Sequence, residues 1–155
     1  RMTQWELRPD SGGTGKFRGG LGNIREYTFL SAGRYTSRRR MHDNPPWGLQ
    51  GGGESASSEL SLDGMPQHAK VSNLLVPKGS RIRELQPGGG GFGNPFERDP
   101  LMVLDDYLDQ HMTVDHAREK YGVVIDETKG VVNWTETNKL HKTREVKDIR
   151  SHRKA

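Results

Sequence analysis

Arg8-Pro9-Asp10-Ser11-Gly12-Gly13-Thr14-Gly15-Lys16-Phe17-Arg18-Gly19-Gly20-Leu21-Gly22 and Gly88-Gly89-Gly90-Gly91-Phe92-Gly93 are the stretches on which the reading of this chain turns. Glycine loses more backbone entropy on folding than any other residue, so such runs persist where something needs the missing side chain. Either the backbone cradles a phosphate, or it turns sharply or packs closely against a ligand or another chain. The phosphate reading fails on context. A Walker A loop needs a glycine, four residues, then Gly-Lys-Ser/Thr, because its lysine and hydroxyl must reach phosphate and magnesium. Here Asp10 stands at the first glycine and Phe17 at the hydroxyl, and glycines follow where a helix should begin. Gly88, Gly90 and Gly93 satisfy G-x-G-x-x-G literally, but a dinucleotide fingerprint also needs a strand before it and a helix starting within it. Pro87 and Pro95 flank this one instead.

Composition points the same way. The chain has 155 residues, fits one domain by length, and is only 30% hydrophobic with twenty glycines. A thin core on an entropically expensive backbone implies stability drawn partly from a partner surface, or else a small loop-rich β domain with mobile segments. There are no cysteines, which excludes disulfides, thiolate zinc sites and cysteine nucleophiles and suits a reducing cytoplasm. No apolar run approaches the ~20 residues of a membrane span, and no signal-peptide pattern opens the chain. Arg1 in place of Met suggests a fragment or a processed piece, with Met2 as the alternative start.

Around the glycine runs, short β-like segments alternate with turn signals: Trp5 to Leu7, Asn23 to Leu30, Lys70 to Val76 and Arg81 to Leu85, with Glu59 to Leu62 as a short edge strand. Pro77-Lys78-Gly79-Ser80 joins two of them as a turn, since Pro sets φ and Gly allows positive φ. This pattern suggests a β sandwich or barrel-like layer. Residues 98–126 read as helical. Asp99 caps, Pro100 takes the first helical position, and Leu101, Leu104 and Leu108 form an apolar seam with Asp105, Asp106 and Asp109 on the other side. Thr113 caps a second helix carrying Val114, Ala117 and Tyr121, which Gly122 ends. Val123 to Ile125 and Val131 to Asn133 form a β-hairpin around Thr128-Lys129-Gly130. A polar helix then starts at Thr135, with Leu140, Val146 and Ile149 as its sparse apolar positions. The expected fold is α+β: a glycine-rich antiparallel β layer over 1–97, a helical hairpin plus β-hairpin over 98–134, and a basic C-terminal helix over 135–155.

Net charge is +4, concentrated in Arg38, Arg39 and Arg40 and in a tail carrying Lys142, Arg144, Lys147, Arg150, Arg153 and Lys154. Basic tails bind nucleic acid, yet Glu145 and Asp148 interrupt this one and no aromatic platform lies within it. A solvated helix face, or an arm on an acidic neighbour, fits better. His42, His68, His111, His116, His141 and His152 lack metal-ligand spacing. Asp105, Asp106 and Asp109 read as a solvated face favoured by the helix dipole rather than a cation site. No Ser/His/Asp trio is recognisable. Pro45-Pro46-Trp47-Gly48 is a rigid aromatic turn, and Trp47 is placed in a cleft, at an interface or in the core.

Taken together and in order, four segments resemble the hydantoinase B/oxoprolinase family. Residues 8–22 look like its RPDSGGxGxxRGGxG signature, followed by a strand at Arg25-Glu26-Tyr27. Pro45-Pro46-Trp47-Gly48-Leu49-Gln50-Gly51-Gly52 is similar to its PPxGxxGG turn. Gly88 to Pro95, with Glu97-Arg98-Asp99-Pro100, is similar to its GGGGxGxPxxRDP segment. Tyr121-Gly122-Val123-Val124 looks like its closing motif. The segment from Glu54 to Gln67 departs from the pattern.

The resemblance covers the carboxy-terminal part of that family. It implies an ATP-dependent complex in which a hydantoinase A-type partner holds ATP and phosphorylates the substrate. The B-type partner then handles the activated intermediate, carboxylating a ketone or opening a cyclic amide. The family's metal-binding residues lie in the amino-terminal part of the B-type chain, so no catalytic residue, cofactor contact or metal ligand is carried over. ATP and a divalent metal are expected on partner subunits. The chain is then a small subunit or C-terminal domain that completes a cleft, with large A-type and B-type partners, no membrane and a cytoplasmic place. Arg8, Asp10, Arg18 and Trp47 are the candidate cleft or interface residues, the arginines by bidentate pairing with carboxylate or phosphate. A stand-alone nucleic-acid-binding module is the rival reading.

Overall fold

The computed structural model describes residues 1–38, 41–68 and 70–152, with side chains as far as Thr143. Four strands combine with one unforeseen edge to make an antiparallel sheet. They are β1 (Met2–Leu7), β2 (Asn23–Thr28), β4 (Glu59–Leu62), β5 (Met65–Gln67) and β7 (Arg81–Leu85), in the order β1-β2-β7-β4-β5. A second, two-stranded ribbon pairs β3 (Gly33–Arg38) with β6 (Lys70–Val76). Leu60 and Ile82 from the sheet pack with Val76 from the ribbon, and Tyr35, Val71 and Leu74 close over them. The β region is therefore two packed layers, and the sheet does not close into a barrel.

One expectation changes here. Glu59–Leu62 is not an edge strand, since it pairs with β7 on one side and β5 on the other. The edge belongs to β5, which Asp63-Gly64 folds back on β4 with both residues at positive φ. The Pro77–Ser80 turn joins β6 to β7 as the sequence predicts, with Gly79 at φ 88°, and carries the chain from the ribbon into the sheet.

The glycine runs form no strand or helix. Residues 88–93 run between residues 11–20 and 47–53, backbone against backbone. The Gly13 N–H donates to the Gly89 carbonyl, Gly91 to Gly53, Gly53 to Thr14, Leu49 to Gly91, and Phe17 and Phe92 bond each other reciprocally at 3.0 Å. A Cβ on Gly91 would lie 2.0 Å from the Thr14 carbonyl oxygen, and one on Gly90 would lie 1.9 Å from that of Trp47. Only glycine lets main chains approach this closely, so the runs are a packing device.

The helical part begins at α1 (Pro100–Leu108), where the Asp99 carboxylate accepts from the Leu101 N–H. Its buried positions are Val103 and Asp106, while Leu101 and Leu108 face outward. The apolar seam and the outward Asp106 expected from the spacing therefore do not hold. Asp106 turns inward because the buried Arg98 and the half-buried Arg18 meet it there. Thr113 caps α2 (Val114–His116), which widens into a turn over Ala117–Tyr121 and ends at Gly122, φ 68°. Ala117 and Tyr121 pack with Val103, Met112 and Val123, and with Ile125 and Val132 from β8 (Ile125–Asp126) and β9 (Val131–Val132). The last helix, α3 (Trp134–His152), starts one residue before Thr135, and its cap is Asn133, whose side-chain oxygen accepts from the Glu136 N–H. Thr137 ties α3 to the core by accepting from the Val124 N–H. Arg39, Arg40, Arg153 and Lys154, and the side chains of Arg144, Val146, Lys147, Ile149 and Arg150, lie outside the described residues. Among the described residues no helix is long and apolar enough to cross a membrane.

Candidate functional site: a clamped glycine layer

Arg8 leaves the end of β1 and reaches across the sheet. Its guanidinium donates to the Ser57 carbonyl at 2.7 Å and to Glu59 Oε1 at 2.7 Å, so it ties the first signature residue to the segment entering β4. Beside it the buried Ser11 hydroxyl donates to the Arg8 carbonyl and accepts from the Gly22 N–H, closing the signature loop on itself.

Asp10 sits at φ 59°, a left-handed conformation that aspartate tolerates better than most residues. That bend aims its carboxylate at the start of α2, where it accepts from the Thr113 N–H at 2.9 Å and from the Thr113 hydroxyl at 2.8 Å. His116 Nδ1 lies 3.8 Å from the same carboxylate. Burial holds the His116 imidazole below its ordinary value, against the opposing pull of the Asp10 charge.

Arg18 meets Asp106 across 88 residues of sequence, through Nε to Oδ2 at 3.1 Å and Nη2 to Oδ1 at 3.0 Å. Arg98 donates to the same carboxylate at 2.9 Å and to the Lys16 carbonyl at 3.2 Å. One aspartate therefore joins two arginines at the junction of the glycine layer and the helical part. Such a carboxylate is worth most through what its loss would expose. The buried Arg98 Nε and the buried Tyr121 hydroxyl have no hydrogen-bond partner among the described residues. Burial pushes the Tyr121 phenol up, against the opposing pull of the Arg98 charge.

Arg8, Asp10 and Arg18 thus direct their polar atoms into the chain. Trp47 is the exception, 77% exposed, with its carbonyl pressed on Gly90 and its ring in the open. Two residues on, Leu49 is bridged to Phe92, which is itself bridged to Phe17, with the two phenyl centroids 6.3 Å apart. No sequence signal announces that Arg98, Asp106 and Tyr121 converge, because each lies in a separate local pattern. Arg98 and Asp106, eight residues apart across a helix start, share no short-range signature.

The glycine layer does not fit a bound nucleotide. Seven of its glycine N–H groups, those of Gly13, Gly19, Gly52, Gly53, Gly89, Gly91 and Gly93, already donate to carbonyls within the layer. Phosphate recognition by such a loop needs those donors free. Among the described residues no three His, Asp or Glu side chains are placed to hold a metal ion.

The sequence pattern of the hydantoinase B/oxoprolinase family matches residues 1–95. A protein of Pseudomonas sp. strain NS671, described as the B-type component of a D-/L-hydantoinase, is 36% identical over 92% of this chain and 25% of its own length. The beta chain of the Pseudomonas jessenii caprolactamase is 33% identical over 79% of this chain and 23% of its own length. The crystal structure of the ATP-dependent caprolactamase from that organism superimposes with a TM-score of 0.70 at 29% identity, covering 87% of this chain and 25% of that one. Nucleotide-free acetone carboxylase shares the fold, with a TM-score of 0.82 over 96% of this chain and 25% of that chain, at 22% identity. The chain spans about a quarter of the length of the relatives it matches. Its collinear glycine segments, its α+β fold and these matches agree, and the chain belongs to the hydantoinase B/oxoprolinase family.

Proposed function

We propose that this chain is a small subunit or C-terminal domain of an ATP-dependent hydantoinase B-type complex, where it completes the cleft of an enzyme that carboxylates a ketone or hydrolyses a cyclic amide. The observation that carries this reading is the closure of the glycine layer on itself. Seven of its glycine N–H groups are consumed internally, which supports a rigid wall over a phosphate cradle. ATP and a divalent metal then belong to large A-type and B-type partners, in a cytoplasmic hetero-oligomer. Arg8, Asp10 and Arg18 hold the wall's shape from within, and Trp47 faces the partner. The relatives named as ATP-dependent enzymes, and the quarter of their length this chain spans, support the assignment.

Native mass measurement on the complex purified through this chain tests the reading. Large A-type and B-type chains should accompany it, and the isolated chain should be poorly soluble until a B-type partner is co-expressed. A monomeric isolated chain with a sharp, cooperative melt and no large companions overturns it.

A further inference from the structure

One surface of the glycine layer is apolar where the rest is closed. Phe17, Leu49 and Phe92 stand side by side on three backbone segments that hydrogen-bond to each other. They are 61%, 58% and 48% exposed, and Trp47, two residues before Leu49, is 77% exposed. Contiguous exposed apolar side chains are uncommon on a free-standing protein and mark a surface that another body covers. The backbone beneath is held by close glycine contacts and by the Pro45-Pro46 pair, so the patch is presented with little conformational freedom left to lose on docking.

We infer that Phe17, Leu49, Phe92 and Trp47 form the docking surface for the remaining polypeptide of a B-type chain, which meets them with an uncharged, apolar segment. The inference rests on the proposed function. Two observations choose this occupant. The relatives extend this fold within chains about four times as long, so a large body of the same family is what lies beyond it. The cations bordering the patch are already paired, Lys16 with Glu97 at 3.4 Å and Arg18 with Asp106, which leaves the surface without charge to attract a phosphate backbone. Aromatic platforms for single-stranded nucleic acid combine stacking with a positively charged groove, and that second element is missing among the described neighbours of the patch.

The test purifies this chain, through an affinity tag, together with the large B-type chain expected in its native complex. The wild-type chain should co-purify. The double variant Phe17→Ser/Phe92→Ser should accumulate to the wild-type level in whole cells, since both rings are already about half exposed, and should be recovered with the B-type chain about tenfold less well or worse, as loss of aromatic anchors does. Because the chain has no cysteine, Phe92→Cys gives it a single thiol that should be protected from maleimide in the complex and react once the complex is dissociated in urea. Undiminished binding by the double variant, or an equally reactive thiol in the complex, overturns the inference and leaves the proposed function standing. Absence of any complex, wild type included, overturns both. Self-association of the free chain, or oligonucleotide binding, that the double variant abolishes assigns the patch to those occupants and overturns the inference too.

Discussion

The glycine layer and the helical part hold together by opposite means. In residues 11–22, 47–53 and 88–93, stability depends on side chains that are not there, so that carbonyls and N–H groups of neighbouring segments can meet. From Pro100 to Val132, it depends on side chains that are there: Val103, Ala117, Tyr121, Val123 and Val132 fill a core, and Asp106 neutralises the buried Arg98 and the half-buried Arg18 beside it. The first region is intolerant of added atoms and the second of lost ones. The two meet at Arg18–Asp106–Arg98, where a residue of the glycine signature enters the helical side.

That contrast can be broken most severely at the junction. Asp106→Ala leaves the Arg18 and Arg98 guanidiniums facing each other without a counter-charge, and removing one partner of a buried ion pair costs about 3–5 kcal/mol. Urea denaturation of the chain in its complex should show the loss, with Asp106→Asn milder because it keeps an acceptor. Next comes Gly91→Ala. Its methyl would fall 2.0 Å from the Thr14 carbonyl oxygen, a backbone atom that cannot swing aside, so about 3 kcal/mol of destabilisation is expected as for severe overpacking. Gly20→Ala in the same signature is the counter-case. No atom lies within 4 Å of its added Cβ. A gain of up to about 1 kcal/mol is expected there, because alanine restricts the unfolded chain. If both substitutions had the same effect, close packing would not explain the glycines.

Asp10→Ala tests the second tie between the regions. It removes the two hydrogen bonds that Thr113, the cap of α2, donates to Asp10, and the loss of such bonds to a carboxylate costs about 1–3 kcal/mol. The smallest effect is on pH dependence. Burial depresses the His116 imidazole in the folded chain, so the unfolded chain binds its proton first on acidification. The stability tied to neutral His116 is present above the ordinary value of about 6.5 and is lost as pH falls through the depressed folded value. Melting midpoints between pH 7 and pH 5 should therefore fall, and His116→Asn should flatten the profile in that window. An unchanged slope in the variant would remove His116 as a source.

Much of the local structure is legible because it is written in short-range chemistry. The strands at Lys70–Val76 and Arg81–Leu85, the Asp99 and Thr113 caps and the Gly122 stop all follow from neighbours a few residues apart. The face of α1 is misleading for the same reason. Leucines at helical spacing show that one stripe is apolar, but not whether that stripe looks into the chain or toward another one. Val103 wins the core because it sits over Ala117 and Tyr121, and Asp106 is drawn inside by arginines from residues 18 and 98.

The sequence alone determined that the glycines are not a nucleotide loop, since the missing lysine–hydroxyl pairing and the flanking prolines are local facts. It also determined the family, because four segments in order need no coordinates to be compared. Only the tertiary structure decided what the glycines do instead. Close approach of backbone to backbone joins residues 13, 53 and 91, and no local pattern encodes which distant carbonyl an N–H will find. The same holds for the candidate residues: Arg8, Asp10 and Arg18 turned inward and Trp47 outward, because a charged or aromatic side chain takes its role from the long-range partners that folding brings to it.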